Sequence, residues 1–225
     1  DLIEPVDLNQ PQADVVVLSF SSSDLAGLQR AWPDDSGVSL SVANLSELRH
    51  PMSVDLWMEK TAEHAKLILI RILGGADRWR YGVDQLAMMA RRRGIKLLLL
   101  PGECSERDEK LEAQSTIDQT WLASILSFFR EGGPQNMRRL SEGLAAFAKI
   151  DVWPGFTPEP LPKSGFYLPD LGAVHVDDAL AAFVPEAPRL PILFYRSMLL
   201  AADVAPIDAL FEALKFRGFA PLPIF

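Results

Sequence analysis

Four short apolar runs, separated by segments of helical periodicity, constrain the fold more than any other feature of this sequence. They occupy residues 13–20, 38–45, 66–73 and 95–100. The first is apolar at consecutive positions, as strands buried on both faces are. Strands that alternate with helices at this spacing form βαβ units around a parallel sheet. The sequence therefore predicts an α/β fold.

The segments between the runs have helical character. Residues 21–24 offer N-caps for a first helix, and residues 78–93 form an amphipathic pattern that ends at Gly94. After the fourth run the rhythm changes, and residues 112–130 resemble one long helix with another behind it. We therefore expect residues 1–150 to form one N-terminal domain, a three-layer Rossmann-like or flavodoxin-like parallel sheet with extra helices.

Proline divides the rest of the chain. Residues 151–191 hold eight of the 17 prolines, and such a stretch favours extended backbone over helix. We interpret residues 151–188 as a proline-rich connector and residues 189–225 as the beginning of a second, incomplete α/β domain. Because the chain stops inside an apolar, strand-like run at 221–225, we expect it to be a fragment of a longer protein.

Composition argues against several classes of protein. Lys and Arg number 22 against 30 Asp and Glu, and the net charge of −8 argues against a nucleic-acid partner. No apolar run approaches the roughly 18–20 residues of a membrane span, and the N-terminus has no secretory signal. A single cysteine, Cys104, excludes a disulfide framework and suits a cytoplasmic protein. His50, His64 and His175 stand in no metal-ligand spacing, so we predict no metal site.

The candidate binding residues lie where strands end, because ligands of open parallel sheets bind beyond the carboxyl ends of the strands. Arg71 belongs to a run that should be buried, and a buried guanidinium needs a carboxylate or a ligand. Glu103, at the end of the neighbouring strand, is the predicted countercharge. Two interpretations stay open: an Arg71–Glu103 pair that locks two loops, and a carboxylate-bearing ligand.

The loop after the third run carries further candidates. Gly74 and Gly75 would let a ligand or a partner backbone approach closely. Trp79 and Tyr81 would offer flat stacking surfaces beside Arg78 and Arg80. This combination of arginines with aromatic rings fits a carboxylate-bearing ligand.

A second candidate site lies near the end of the chain. Tyr195 ends a strand-like run at 190–195, and Arg196 follows it ahead of a helical segment at 206–217. They repeat the arrangement at the edge of the first sheet. We interpret them as the first loop of a second ligand site.

Several segments, in the same order along the chain, carry a family resemblance. They are residues 71–75, 79–83, 100–103, 128–136, 165–170, 194–197, 206–210 and 221–225. These segments resemble the large subunits of aerobic cobaltochelatase and magnesium chelatase, the CobN/magnesium-chelatase H subunit family. The chain looks like the N-terminal portion of such a subunit.

The resemblance implies an enzyme of the ligase class that forms nitrogen–metal bonds. Such a cobaltochelatase inserts Co²⁺, its substrate metal, into hydrogenobyrinic acid a,c-diamide in the aerobic biosynthesis of cobalamin. It works with two other subunits, one of them an AAA+ ATPase, and ATP and Mg²⁺ bind at these partners. The residues that handle the metal are expected beyond Phe225, so no catalytic residue is assigned within this chain.

The chain departs from the family pattern at two places. Many members carry a histidine after the segment that corresponds to Tyr195–Ser197 and another before the proline that corresponds to Pro169, and this chain has neither. Both departures argue against cobalt ligation here.

The substrate-binding candidates are Arg71, Gly74, Gly75, Trp79, Arg80, Tyr81, Glu103, Tyr195 and Arg196. Two other functions stay open: a free-standing α/β module that binds an anionic small molecule, and a non-catalytic scaffold or partner-docking domain.

Overall fold

The four apolar runs form one sheet in which all strands are parallel. A computed structural model describes residues 4–102, 107–183 and 186–225. The strands lie in the order β2-β1-β3-β4, and their bounds are β1 (Val15–Ser19), β2 (Leu40–Asn44), β3 (Leu67–Ile72) and β4 (Lys96–Pro101). Val15 lies opposite both Leu40 and Leu67, so β1 is a central strand. The predicted α/β class with a parallel sheet is confirmed.

Helices cover both faces of this sheet. One face packs against α1 (Ser22–Ala31), α5 (Gln119–Glu131) and α6 (Pro134–Lys149), and the other against α2 (Pro51–Lys60), α3 (Arg80–Arg93) and α4 (Glu109–Gln114). Along β1, Val15 and Val17 pack against α1, α5 and α6, whereas Val16 and Leu18 lie in the core on the side of α2, α3 and α4. A strand buried on both faces has no polar side, which explains the continuous apolar runs.

Asp14 joins the amino ends of three strands. Its carboxylate accepts hydrogen bonds from the backbone N–H of Ser39 at 3.0 Å and from the Ser39 hydroxyl at 2.9 Å, and it pairs with the Lys66 ammonium at 2.8 Å. The Lys66 ammonium, followed by the Ser39 N–H, lowers the pKa of Asp14 from its ordinary value of 3.8 to about 2. The ionised carboxylate therefore stabilises the register of β1, β2 and β3.

The predicted helix at 112–130 is two helices, α4 and α5, and this prediction was wrong. Residues between them bond to the edge strand β4 instead of continuing the helix. The Ser115 hydroxyl accepts from Leu99 N at 3.0 Å, and the Thr116 hydroxyl accepts from Leu97 N at 2.7 Å. Hydroxyl side chains that satisfy a free strand edge compete with helical hydrogen bonds.

A second sheet contains four strands in the order β6-β5-β8-β7. Their bounds are β5 (Phe166–Leu168), β6 (Gly172–Val174), β7 (Arg189–Leu193) and β8 (Ala220–Ile224), and the accompanying helices are α7 (Val176–Ala181), α8 (Arg196–Leu200) and α9 (Ala205–Phe216). β7 and β8 are parallel, whereas β5 is antiparallel to β6 and β8. Ile192, Ile207 and Phe225 belong to its core.

The structure differs from the predicted extended connector at 151–188. Residues 151–165 have no regular secondary structure, but β5, β6 and α7 follow within the predicted connector. The prolines that precede β5 stop at Pro162, and Gly172, with a φ of 77°, permits the turn between β5 and β6. Residues 166–174 therefore share a sheet with 189–225, and the predicted boundaries do not separate two sheets.

The two sheets are joined at the glycine pair between α5 and α6. Gly133 donates from its backbone N–H to Leu200 O at 2.9 Å. Gly132 has a φ of 64°, and a Cβ there would overlap the same carbonyl. Arg30 of α1 also donates to Ala202 O at 2.6 Å.

Among the described residues, we find no helix with both the length and the apolar character that crossing a membrane requires.

Candidate functional site

Arg71 lies at the carboxyl end of β3, where the strand order switches between β1 and β3. Its predicted partner, Glu103, lies outside the described residues. The carboxylate that the structure shows on the Arg71 guanidinium belongs to Asp24, in the first turn of α1. Asp24 also accepts a hydrogen bond from the Ser19 hydroxyl at 3.1 Å. An ion pair thus closes the switch point from within the fold.

The remaining Arg71 donors also have partners in the protein. Nη2 donates to Pro101 O at 3.3 Å and to Gly102 O at 3.2 Å. The guanidinium carbon lies 4.4 Å from the centroid of the Phe129 ring, and the residue is only 6% exposed. A buried guanidinium with a carboxylate, two carbonyls and an aromatic face is satisfied without a ligand.

The two candidate glycines form the turn after β3. Gly74 has a φ of 89° and Gly75 a φ of 73°, which L-residues with a side chain rarely adopt. A Cβ on Gly75 would lie 3.1 Å from the Asp108 carboxylate. Both glycines let the chain turn tightly from β3 towards α3.

Trp79 is an internal packing residue in this structure. Its Nε1 donates to Leu48 O at 2.7 Å, and the residue is only 7% exposed. Gly82 makes room for the indole, because a Cβ at that position would overlap the ring. Trp79 therefore fixes the start of α3 against the turn after β2.

The residues around Trp79 form a cleft, which we call the arginine cleft. Its volume is about 340 Å³, its floor is Leu45, Val54 and Trp79, and its rim is Phe20, Arg49, Arg78, Arg80 and Tyr81. The Tyr81 hydroxyl donates to Asp55 Oδ1 at 2.7 Å, and this bond raises the pKa of Tyr81. Arg80 reaches Asp84 at 3.9 Å. Of the predicted site residues, Arg80 and Tyr81 meet here, with Trp79 beneath them.

Sequence reasoning missed two residues at the rim of the arginine cleft. Phe20 directly follows β1, and Arg49 lies five residues after β2. Because the carboxyl ends of parallel strands meet at one edge, the strand order would have brought both to the loop after β3. The order β2-β1-β3-β4, rather than any local motif, is the signal that finds them.

A second cavity, of about 470 Å³, lies between the start of α6 and the β5–β6 hairpin. Asn136, in the first turn of α6, is 2% exposed and donates to Gly132 O and Glu159 O, both at 2.8 Å. Its Oδ1 accepts from Glu159 N at 2.8 Å. Asn136 therefore ties the chain after residue 151 to the first sheet's helices.

Tyr195 and Arg196, the second pair of predicted site residues, lie in different environments. Arg196 donates to Pro162 O at 2.9 Å and to Leu161 O at 3.1 Å, so it holds the proline-rich segment. Tyr195 is 80% exposed. Neither residue lines the arginine cleft.

A partly buried tyrosine–aspartate pair lies at the second sheet's core, to which Tyr167 belongs. The Tyr167 hydroxyl donates to Asp208 Oδ1 at 2.8 Å. Burial raises the pKa of both groups, and the Asp208 carboxylate raises the pKa of Tyr167 further.

Within the described ranges, no three His, Cys, Asp or Glu side chains converge as a metal site would require.

Comparison with known proteins connects this fold to a family. Residues 126–225 match the family described as CobN/Magnesium Chelatase. Over 99% of its length the chain is 34% identical to the aerobic cobaltochelatase subunit CobN of Sinorhizobium sp. The chain is therefore similar to subunits of the CobN/magnesium-chelatase family over nearly its whole length. The predicted family resemblance is confirmed.

Further members of the CobN/magnesium-chelatase family agree in sequence and in structure. The CobN subunit of Pseudomonas aeruginosa is 34% identical over 96% of the chain. The catalytic subunit of cobaltochelatase from Mycobacterium tuberculosis superposes with a TM-score of 0.66 and 27% identity, and it covers 96% of this chain. The chain spans 18%, 17% and 16% of these three relatives, respectively.

Proposed function

We propose that this chain is part of the large subunit of a cobaltochelatase, the enzyme that inserts Co²⁺ into hydrogenobyrinic acid a,c-diamide during cobalamin biosynthesis. The observation that carries the proposal is the 34% identity to a CobN subunit across 99% of the chain. The reaction forms nitrogen–metal bonds, so the enzyme is a ligase, and Co²⁺ is its substrate.

In this proposal the chain contributes binding and positioning rather than metal chemistry. Metal insertion replaces the pyrrolic N–H protons of the macrocycle with Co²⁺, and it needs groups that hold the macrocycle and groups that deliver the metal. The described residues contain no cluster suited to the second task. They do contain a cleft at the strand ends with three arginines, and guanidinium groups suit carboxylates.

The remaining components of the proposed reaction lie on other subunits. Two partners, one of them an AAA+ ATPase that binds ATP and Mg²⁺, supply the energy of ATP hydrolysis. The assembly works in the cytoplasm.

Reconstitution tests the proposal. The natural polypeptide that contains this sequence is purified with both partners and mixed with hydrogenobyrinic acid a,c-diamide, Co²⁺, ATP and Mg²⁺. We expect the absorbance spectrum to change as the cobalt complex forms, and we expect no change when ATP is omitted. A complete mixture that forms no product, beside a CobN enzyme that does, would contradict the proposal.

Residues 1–225 alone provide the matched control. We expect them to insert no cobalt even with both partners, because the described residues hold no metal-handling cluster. Turnover by this chain alone would show that the positioning role is wrong.

A further inference from the structure

The arginine cleft lies where an open parallel sheet most readily forms a ligand site. Phe20, Arg49 and Arg78 follow β1, β2 and β3, the three strands on either side of the switch in strand order. Crevices at the carboxyl ends of strands, beside such a switch, are the usual ligand sites of this architecture. The Arg71–Asp24 pair closes the other face of the same edge, so the opening is on the α2–α3 side.

The charge of the cleft is only partly neutralised within the described part of the chain. Neither Arg49 nor Arg78 forms an ion pair or a side-chain hydrogen bond with any described residue, and Arg80 has Asp84 at 3.9 Å. Several cations elsewhere do have carboxylate partners, as in the Lys60–Asp7, Arg93–Glu63 and Lys110–Asp77 pairs.

This grouping is unexpected in an acidic chain. With 30 acidic and 22 basic side chains, carboxylates are in excess. The Asp55 carboxylate at the rim accepts the Tyr81 hydroxyl rather than a guanidinium. Three guanidinium groups around one cleft repel each other and create a local positive potential, which an anionic ligand would relieve.

The cleft is also held in place without a ligand. Trp79, between two of the rim arginines in the sequence, is fixed by its hydrogen bond to Leu48 O and by its contact with Gly82. Leu45 and Val54 beneath it are each 1% exposed. A buried apolar floor with exposed cationic side chains at the rim favours a ligand that has a carbon body and an anionic end.

The volume limits what can enter. About 340 Å³ is near the lower end of the range of about 300–1,000 Å³ that drug-sized ligands occupy. A tetrapyrrole ring with its side chains is larger than such a ligand, so the whole macrocycle does not fit. A carboxylate on a short carbon chain does.

We propose that the arginine cleft binds a peripheral carboxylate side chain of the macrocyclic substrate. Arg49, Arg78 and Arg80 hold the carboxylate, while the apolar floor and the Phe20 and Tyr81 rings cover the carbon chain that carries it. The ring stays outside, facing the parts of the enzyme that handle the metal. This inference rests on the proposed function and adds a place and a chemical group to it.

Equilibrium binding to the natural polypeptide that contains this sequence tests the inference. Hydrogenobyrinic acid a,c-diamide is titrated into wild type, the double variant Arg78→Ala/Arg80→Ala, and Arg92→Ala. Arg92 is a matched control because it is an exposed arginine on α3, the helix that begins at Arg80, and does not line the cleft. We expect the double variant to bind at least about tenfold more weakly, since it loses charge-assisted hydrogen bonds, and Arg92→Ala to bind as wild type does.

Two further ligands identify the group that is bound. An ester of the macrocycle, with its free carboxylates blocked, should bind wild type and the double variant equally. Citrate, a small tricarboxylate without a ring, should compete only at far higher concentration. Arg78→Lys, which keeps the charge but loses the planar fork, should fall between wild type and the double variant.

The outcomes separate this inference from the proposed function. If folded wild type binds no macrocycle, the proposed function fails. If wild type binds but the double variant binds equally well, the inference about the cleft is wrong. It is also wrong if the ester loses the same factor in the double variant, or if citrate binds as tightly as the macrocycle.

Discussion

The Arg71→Met variant tests whether the guanidinium at the switch point stabilises the fold or serves a ligand. Methionine has a similar length and fills the space, but it removes the charge and all the donors. Asp24 then loses its cation partner, although it keeps the Ser19 hydroxyl. The carbonyls of Pro101 and Gly102 lose a donor as well.

The magnitude follows from the burial of the pair. The Arg71 and Asp24 side chains are 7% and 15% exposed. Removing one partner of a buried pair costs about 3–5 kcal/mol, and partial exposure of Asp24 places this site near about 3 kcal/mol. Loss of the cation–π contact with Phe129 adds about 0.5–1 kcal/mol. For a domain of this size, a total of about 3–4 kcal/mol lowers Tm by roughly 10 °C.

Urea and thermal denaturation at pH 7 measure the effect on residues 1–225. Arg92→Ala, an exposed change on α3, should alter the free energy of unfolding by less than about 0.5 kcal/mol. The double variant Arg71→Met/Asp24→Asn should recover about 2 kcal/mol of the loss, because no unpaired charge is then left buried. A cost below about 1 kcal/mol, or no recovery in the double variant, would refute the reasoning.

Three further variants test other contacts by urea denaturation. Asp14→Asn should cost about 1–2 kcal/mol at pH 7. The folded-state pKa of Asp14 is about 2, below the ordinary 3.8, so its stabilising effect is fully present above pH 3.8. The difference in stability between wild type and Asp14→Asn should then vanish as the pH falls through 2. Gly82→Ala should cost about 1–3 kcal/mol, since the new methyl overlaps Trp79; an equally stable variant would show that the indole can move. Asn136→Ala should cost about 2–4 kcal/mol, because it removes three hydrogen bonds to the backbone of Gly132 and Glu159, one of them buried; a loss below about 1 kcal/mol would contradict this.

The parallel sheet was predictable because its signal is local. β1, β3 and β4 bury both faces, so residues such as Val15 to Leu18 must be apolar in succession, and that pattern is visible without knowing any neighbour. The second sheet was not predictable in the same way. β5 and β6 have three residues each, and their strand conformation depends on pairing with β8 and with each other.

The candidate site shows the same division. The local sequence indicated that Arg71, Trp79, Arg80 and Tyr81 were candidate binding residues, and each has a specific role or position in the structure. It could not say that Arg71 and Trp79 bond inside the fold while their neighbours line a cleft. Arg49 was invisible to local reasoning, because its place depends on β2 lying beside β1.

Apolar periodicity and ordered motifs are properties of the chain, so they indicated the fold class, the family and the polar residues at the strand ends without any structure. Which of those residues find partners inside the protein depends on how the elements pack together. Asp24 lies 47 positions from Arg71, and their ion pair exists because the parallel order places the start of α1 beside the end of β3. The same order left three arginines around one cleft without a full set of carboxylate partners. Partners far apart in sequence are chosen by packing, and packing is settled only once the whole sheet has formed.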